Sequence, residues 1–221
     1  MNDIARLVHL MPAAPQLPVS AYFDEALFAQ EQALIFNKAA RYIGHEKAVP
    51  QVGDWHRLAQ EDGGRVLVRN PQGVELLSNV CRHRQALILG GETGNVSGPA
   101  NPKGNLAAAG GHIVCPLHRW TYNSSGELLG APQFEQKPCK NLQRFPLRNC
   151  HGLLFEGPRD PARDMAPLFE RPEFDFSEYV LAHVEVHPCH YNWKTFIEVY
   201  LEDYHVAPFH PAWAVLSAVT S

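Results

Sequence analysis

Cysteine is scarce in this chain of 221 residues: there are five, an odd number. Residues 1–10 include Asp3 and carry no apolar core of the kind an export signal needs. Together these exclude a disulfide framework and point to a reducing compartment, the cytoplasm. No run of eighteen apolar residues occurs, so no membrane-spanning helix is expected. An excess of one charge is missing too. The formal net charge of −4 is too mild to suggest nucleic acid or an anionic membrane as a partner. Hydrophobic residues make up 45%, enough to build a core, and the length allows one large domain or two modest ones. Histidine, by contrast, is plentiful, with twelve copies.

Pro12, Pro15 and Pro18 make the start extended. Ser20 then offers a helix N-cap, and Phe23, Ala26, Leu27, Ala33 and Leu34 recur at helical spacing up to about Phe36. From about residue 41 the signals change to short strands and turns. Val66-Leu67-Val68 runs into the turn Asn70-Pro71-Gln72-Gly73 and a second strand from Val74. Residues 119–122, the turn Asn123-Ser124-Ser125-Gly126 and residues 127–129 form a second such unit, and 152–155 reads as a closing strand. Residues 90–111 hold seven of the sixteen glycines, so this stretch is expected to be a flexible surface insertion with no core of its own. Residues 158–172 read as a Pro-rich connector with a helical turn near Leu168. Alternation over 180–186 suits a strand, and a helix is expected over 192–204, capped by Asn192 and stopped by Pro208.

Two segments carry the chemistry: Cys81-Arg82-His83 and Cys115-Pro116-Leu117-His118. Each offers one thiolate and one imidazole. Structural zinc is the competing reading, but a zinc finger usually pairs two Cys in one arm and two His in the other. Here each arm carries one of each, which suits a [2Fe–2S] cluster with two Cys on one iron and two His on the other. Arg84 and Arg119 add charge, Pro116 stiffens the second loop, and Trp120 can shield the site from water. Cys139, Cys150 and Cys189 have no ligand partner at a convincing spacing and read as ordinary thiols, and His112 as a loop or strand residue.

The stretches CRHR and CPLHRW resemble the Rieske motif. Two features depart from it: Gln85 stands where many Rieske oxygenases have Gly, and 31 residues separate His83 from Cys115, about twice the usual gap. The resemblance implies a potential between about −150 and +300 mV.

The second informative stretch runs from Asn192-Trp193-Lys194 to His205 and His210. On a helix, Glu198, Glu202 and His205 fall on one face. Trp193, Phe196 and Tyr200 read as core. This stretch resembles the catalytic domain of Rieske non-haem iron oxygenases, the ring-hydroxylating α subunits. The resemblance implies that His205 and His210 bind mononuclear Fe(II). It also implies that Glu202, three residues before the first His, serves electron transfer between neighbouring subunits. That family's third iron ligand, an Asp, lies far downstream, whereas the chain ends eleven residues past His210. The ending Ala212-Trp213-Ala214, where that family tends to Gly-Leu-Gly, fits a frameshifted or truncated gene.

The expected fold class is therefore α+β. Residues 1–40 form an extended segment and helix, and 41–160 an all-β Rieske domain containing the 90–111 insertion. Residues 161–221 form the incomplete start of an α+β helix-grip catalytic domain. The implied activity is O₂-dependent hydroxylation or demethylation of a small organic substrate. Electrons would come from NAD(P)H through a ferredoxin or flavin reductase, and the full-length assembly would be a homotrimer. A Rieske electron carrier without oxygen chemistry is the alternative.

Overall fold

The structure, a computed structural model, describes residues 17–90, 103–201 and 209–210. It divides into a larger unit, Ala33–Val186, and a smaller one joining Met1–Gln32 to His187–Ser221.

The larger unit is built on β-strands. In chain order they are β1 (Arg41–His45), β2 (Asp54–Arg57), β3 (Arg65–Asn70), β4 (Gly73–Ser78), β5 (Lys103–Asn105), β6 (Ile113–Val114), β7 (Thr121–Tyr122), β8 (Leu128–Gly130), β9 (Arg144–Phe145), β10 (Arg148–Cys150) and β11 (Leu153–Glu156). They form a five-stranded sheet, β5-β2-β3-β4-β9, and two three-stranded sheets, β1-β11-β10 and β6-β7-β8. Every pairing is antiparallel.

The continuous apolar run of β3 has a structural cause. Side chains alternate along a strand, and here both faces are covered. Val66 and Val68 join a core with Leu77 of β4, Trp55, Trp120 and Tyr122, while Leu67 joins a second core with Leu76, Ile43 and Leu154. A doubly buried strand has no polar face to show in its sequence. At one edge, Arg65 bonds to Glu61 and Glu156, and Arg41 bonds to the same two carboxylates, tying β1, β3 and β11 together.

Four expectations need correction. Residues 103–111 are not a coreless insertion. Lys103–Asn105 is an edge strand on β2, and Leu106 is 2% exposed inside the first core. Asn105 caps the following turn through Ala107 and also bonds to Asp54 at 2.8 Å. Gly104 lies flat against Trp55, where a Cβ would come within 2.6 Å of the ring. Glycine is required by close approach rather than by flexibility, and composition cannot tell the two apart. Residues 91–102 lie outside the described part.

Residues 180–186 form no strand, because alternation gives a strand its faces but not its hydrogen-bonded neighbour. Val180 is 86% exposed. The connector holds a full helix, α1 (Pro161–Phe169), for which Asp160 caps and Pro161 occupies the first turn. The N-terminal helix begins later than expected. Asp24, not Ser20, accepts from Ala26 and Leu27 to start the helix Glu25–Leu34.

In the smaller unit that N-terminal helix meets α2 (Trp193–Tyr200), capped by Asn192 as expected. A buried ion pair joins them: Lys194 Nζ donates to Glu31 at 2.6 Å, and Trp193 Nε1 to the same carboxylate at 3.0 Å. Asn192 Nδ2 reaches the Tyr22 carbonyl at 2.9 Å, and the Tyr22 hydroxyl bonds to Glu198. Phe196 and Tyr200, read as core for a full-length protein, are 46% and 74% exposed in this chain. Among the described residues no helix is long and apolar enough to cross a membrane.

Candidate metal centre

Cys81 and Cys115 each open a six-residue loop, and the two loops are built alike. Val80 pairs with Leu87 across the first, and Val114 with Thr121 across the second. In each, the cysteine N–H donates to the carbonyl at the loop's end: Cys81 to Ala86 at 2.9 Å and Cys115 to Trp120 at 2.8 Å. In each, the fifth residue donates back to the cysteine carbonyl at 3.0 Å, from Gln85 and from Arg119. That return requires a left-handed residue, and φ is +57° at Gln85 and +62° at Arg119. Gln85 therefore stands where the turn favours glycine, and the second loop shows that a long side chain can hold the same conformation.

The loops bring the candidate ligands together as two pairs, and among the described residues no group of three or more such side chains converges on one metal point. Cys81 and Cys115 are 2% and 1% exposed, unpaired by any disulfide, and buried in the same core. The His83 and His118 rings meet edge to face with centroids 4.6 Å apart. His83 is half-buried and His118 exposed, so the thiols lie inward and the imidazoles outward. A thiol pair beside an imidazole pair is what a binuclear cluster asks for. A single tetrahedral zinc would draw all four to one point.

A polar orphan marks the place. His83 Nδ1 is buried and has no hydrogen-bond partner among the described residues. A metal ligand needs a neutral imidazole. Desolvation, with His118, Arg84 and Lys140 nearby, holds His83 below its ordinary range and so supplies that state. Burial raises the Cys115 thiol, partly offset by the N–H groups of Leu117 and His118, with Cys81 pushing the same way as burial. Those two N–H groups would remain to stabilise a thiolate once a metal displaced the proton.

The surroundings hold residues that the sequence reading missed. The Tyr122 hydroxyl lies 3.5 Å from Cys81 Sγ and accepts from Arg82 N–H at 3.3 Å, and burial together with Cys81 keeps its phenol well above its usual value. Phe134 sets its edge on both His83 and Trp120. Tyr122 was visible as a strand residue four positions after His118, but Phe134 sits in an irregular stretch with no motif to mark it. Trp120, expected as a shield, is 1% exposed. A cleft of about 390 Å³ opens beside His83, lined by Arg82, Gln85 and Lys140 among others.

Comparison with known proteins places the chain in a family. The Rieske [2Fe-2S] domain family matches residues 40–146, and the ring hydroxylating alpha subunit (catalytic domain) family matches 176–221. The chain belongs to the Rieske non-haem iron oxygenase family. Among its relatives is putrescine 2-hydroxylase of Bordetella bronchiseptica, 74% identical over 96% of this chain and 49% of that protein. Putrescine 2-hydroxylase of Ralstonia nicotianae is 58% identical over 96% of this chain and 54% of that protein. The chain thus spans about half the length of the curated relatives it matches. A crystal structure of the quaternary ammonium Rieske monooxygenase CntA with γ-butyrobetaine shares the fold, with a TM-score of 0.63 at 23% identity, covering 88% of this chain and 56% of that one. Rieske oxygenases carry a [2Fe–2S] cluster and mononuclear Fe(II). Of the second site's candidates, Glu202 and His205 lie outside the described residues, and His210 is exposed.

Proposed function

We propose that this chain supplies the electron-receiving part of an oxygenase component whose substrate is an aliphatic diamine of the putrescine type. In this reading Cys81 and Cys115 hold one iron of a [2Fe–2S] cluster, and His83 and His118 the other. His205 and His210 ligate Fe(II), and Glu202 serves electron transfer between the two metal sites. When bound, the cluster supplies one-electron transfer and the mononuclear iron supplies O₂ activation. The chain's own loops bury the thiolates, keep His83 neutral and leave the histidine edge outward, where an electron must leave or enter. Residues 41–160 act as the cluster domain and 161–221 as the start of the catalytic domain. A ferredoxin or flavin reductase delivers electrons from NAD(P)H in the cytoplasm, and the full-length assembly is a homotrimer.

The single observation that carries the reading is the pair of matched loops around the orphaned His83 Nδ1. The diamine rests on the two relatives named for putrescine.

The test has two stages. Anaerobic reconstitution of this chain should give about two irons and two sulfides per chain and the EPR signal of a His-ligated cluster. Colourless zinc-loaded protein would sink the assignment. Reductase-coupled O₂ uptake is then measured with putrescine, glycine betaine and an aromatic acid, for this chain beside one extended to its relatives' length. Putrescine-dependent uptake by the extended chain is expected. Reduction and reoxidation with no substrate dependence would favour an electron carrier instead.

A further inference from the structure

The buried indole of Trp120 has a donor with nowhere to go. Its Nε1–H is inaccessible to solvent and has no hydrogen-bond partner among the described residues. The side chain as a whole is 1% exposed. Burying such a group unpaired costs its full desolvation, so native structures almost always give it an acceptor. This fold does so elsewhere: Trp193 Nε1 reaches Glu31 at 3.0 Å. If position 120 needed only apolar bulk, Phe would fill it without that cost.

The indole does not stand alone. It lies parallel to the His83 ring, at 5° between planes and 4.9 Å between centroids. His83 Nδ1 is likewise buried and unpartnered; the other two such atoms among the described residues, His45 Nε2 and Arg57 Nε, belong to residues that no ring contact joins to this stack. Phe134 closes the stack from the side, edge-on to Trp120 at 5.4 Å and to His83 at 5.9 Å. Two stacked rings, each with a buried unpaired nitrogen, share one unfilled demand. One needs an electron-pair acceptor and the other a proton acceptor. A metal bound to sulfur meets both.

We propose that Trp120 is a positioning residue for the cluster: its face fixes the plane of the His83 imidazole, and its N–H donates to a sulfur of the cluster. The proposal rests on the cluster assignment above. The redox consequence follows from charge. Reduction adds one electron, taken from dithionite or a reductase, and no bond breaks or forms. Negative charge on the sulfurs rises, and a donor aimed at them favours the reduced form. Trp120 therefore holds the potential up.

Trp120→Phe keeps a ring against His83 and removes the donor. Titrated potentiometrically with EPR detection, it is expected to shift the one-electron equilibrium about tenfold toward the oxidised form. That is about 59 mV lower for a one-electron couple. Its g values should stay close to those of the parent, because the histidine plane is kept. Trp120→Leu should show the same shift with altered g values. A second measurement needs no variant. The parent chain, grown with isotope-labelled indole nitrogen, should show hyperfine coupling of that nucleus to the reduced cluster in pulsed EPR. A parent with no Rieske EPR signal overturns the cluster assignment and this proposal together. A normal parent signal, with an unshifted Trp120→Phe or no indole coupling, overturns this proposal alone.

Discussion

Leu106→Ala puts the 103–111 segment to the sharpest test. Composition makes this stretch a tolerated surface loop; the structure makes it part of the core. Leu106 is 2% exposed and shares a buried cluster with Trp55, Ile113, Trp120 and both Cys81 and Cys115. Its N–H donates to Gly53 at 2.8 Å and its carbonyl accepts from Gly111 at 2.9 Å, so the backbone is held and cannot simply slide to fill a void. Truncating a fully buried leucine costs about 2–5 kcal/mol, with the larger values where the site cannot collapse. Taking about 3 kcal/mol, and about 2–4 °C per kcal/mol for a unit of this size, the melting temperature should fall by roughly 6–12 °C. The comparison is Ala108→Ser, at an exposed position two residues on, expected within about 2 °C of the parent. Both are melted at one concentration and scan rate, following near-UV circular dichroism and the visible band of the cluster-loaded chain. The visible band should bleach with the fold, because Leu106 packs in the core that holds both cysteines. If Leu106→Ala melts within 2 °C of the control, the segment is peripheral and the packing argument is wrong.

Gln85→Val should lower the temperature of cluster loss by an amount equivalent to about 2 kcal/mol, since a β-branched residue tolerates φ of +57° poorly. Gln85→Gly should melt at or above the parent, and the reverse order would show that the left-handed turn is not the constraint. Tyr122→Phe removes the hydroxyl 3.5 Å from Cys81 Sγ. A lost donor to thiolate worth about 1 kcal/mol should lower the potential by roughly 40 mV, and an unchanged or raised potential would refute the contact. In the smaller unit, bonds from Lys194 and then Trp193 hold the Glu31 carboxyl below its ordinary value of 4.5. Its stabilising contribution is thus present above pH 4.5 and is lost as pH falls through the lower folded value. Trp193 emission, isolated by comparison with Trp193→Phe, should report that transition, and Glu31→Gln should abolish it.

Much of the β-unit could be read along the chain because its signals are local. The 70–73 turn, the strand that follows it and the 123–126 turn each need only neighbouring residues to specify them, and all three are found, the strand as Gly73–Ser78. The Cys/His loops were legible for the same reason: a ligand pair within three residues is a short-range statement. The failures share one cause. Residues 180–186 have a strand's alternation but no pairing strand among the described residues. Gly104 looked flexible because the ring it packs on belongs to Trp55, nearly fifty residues away.

From sequence alone, then, came the candidate chemistry: which atoms are proposed to bind iron, in what pairs, and which family such pairs resemble. Only the folded chain decided their arrangement. It set the thiols inward and the imidazoles outward, laid Trp120 flat on His83, and brought Tyr122 to Cys81. It also joined Glu31 to Lys194 across 163 residues. The division has a physical reason. Ligand identity is a property of single side chains, but burial, stacking and a missing hydrogen-bond partner are relations between residues that only tertiary packing brings together.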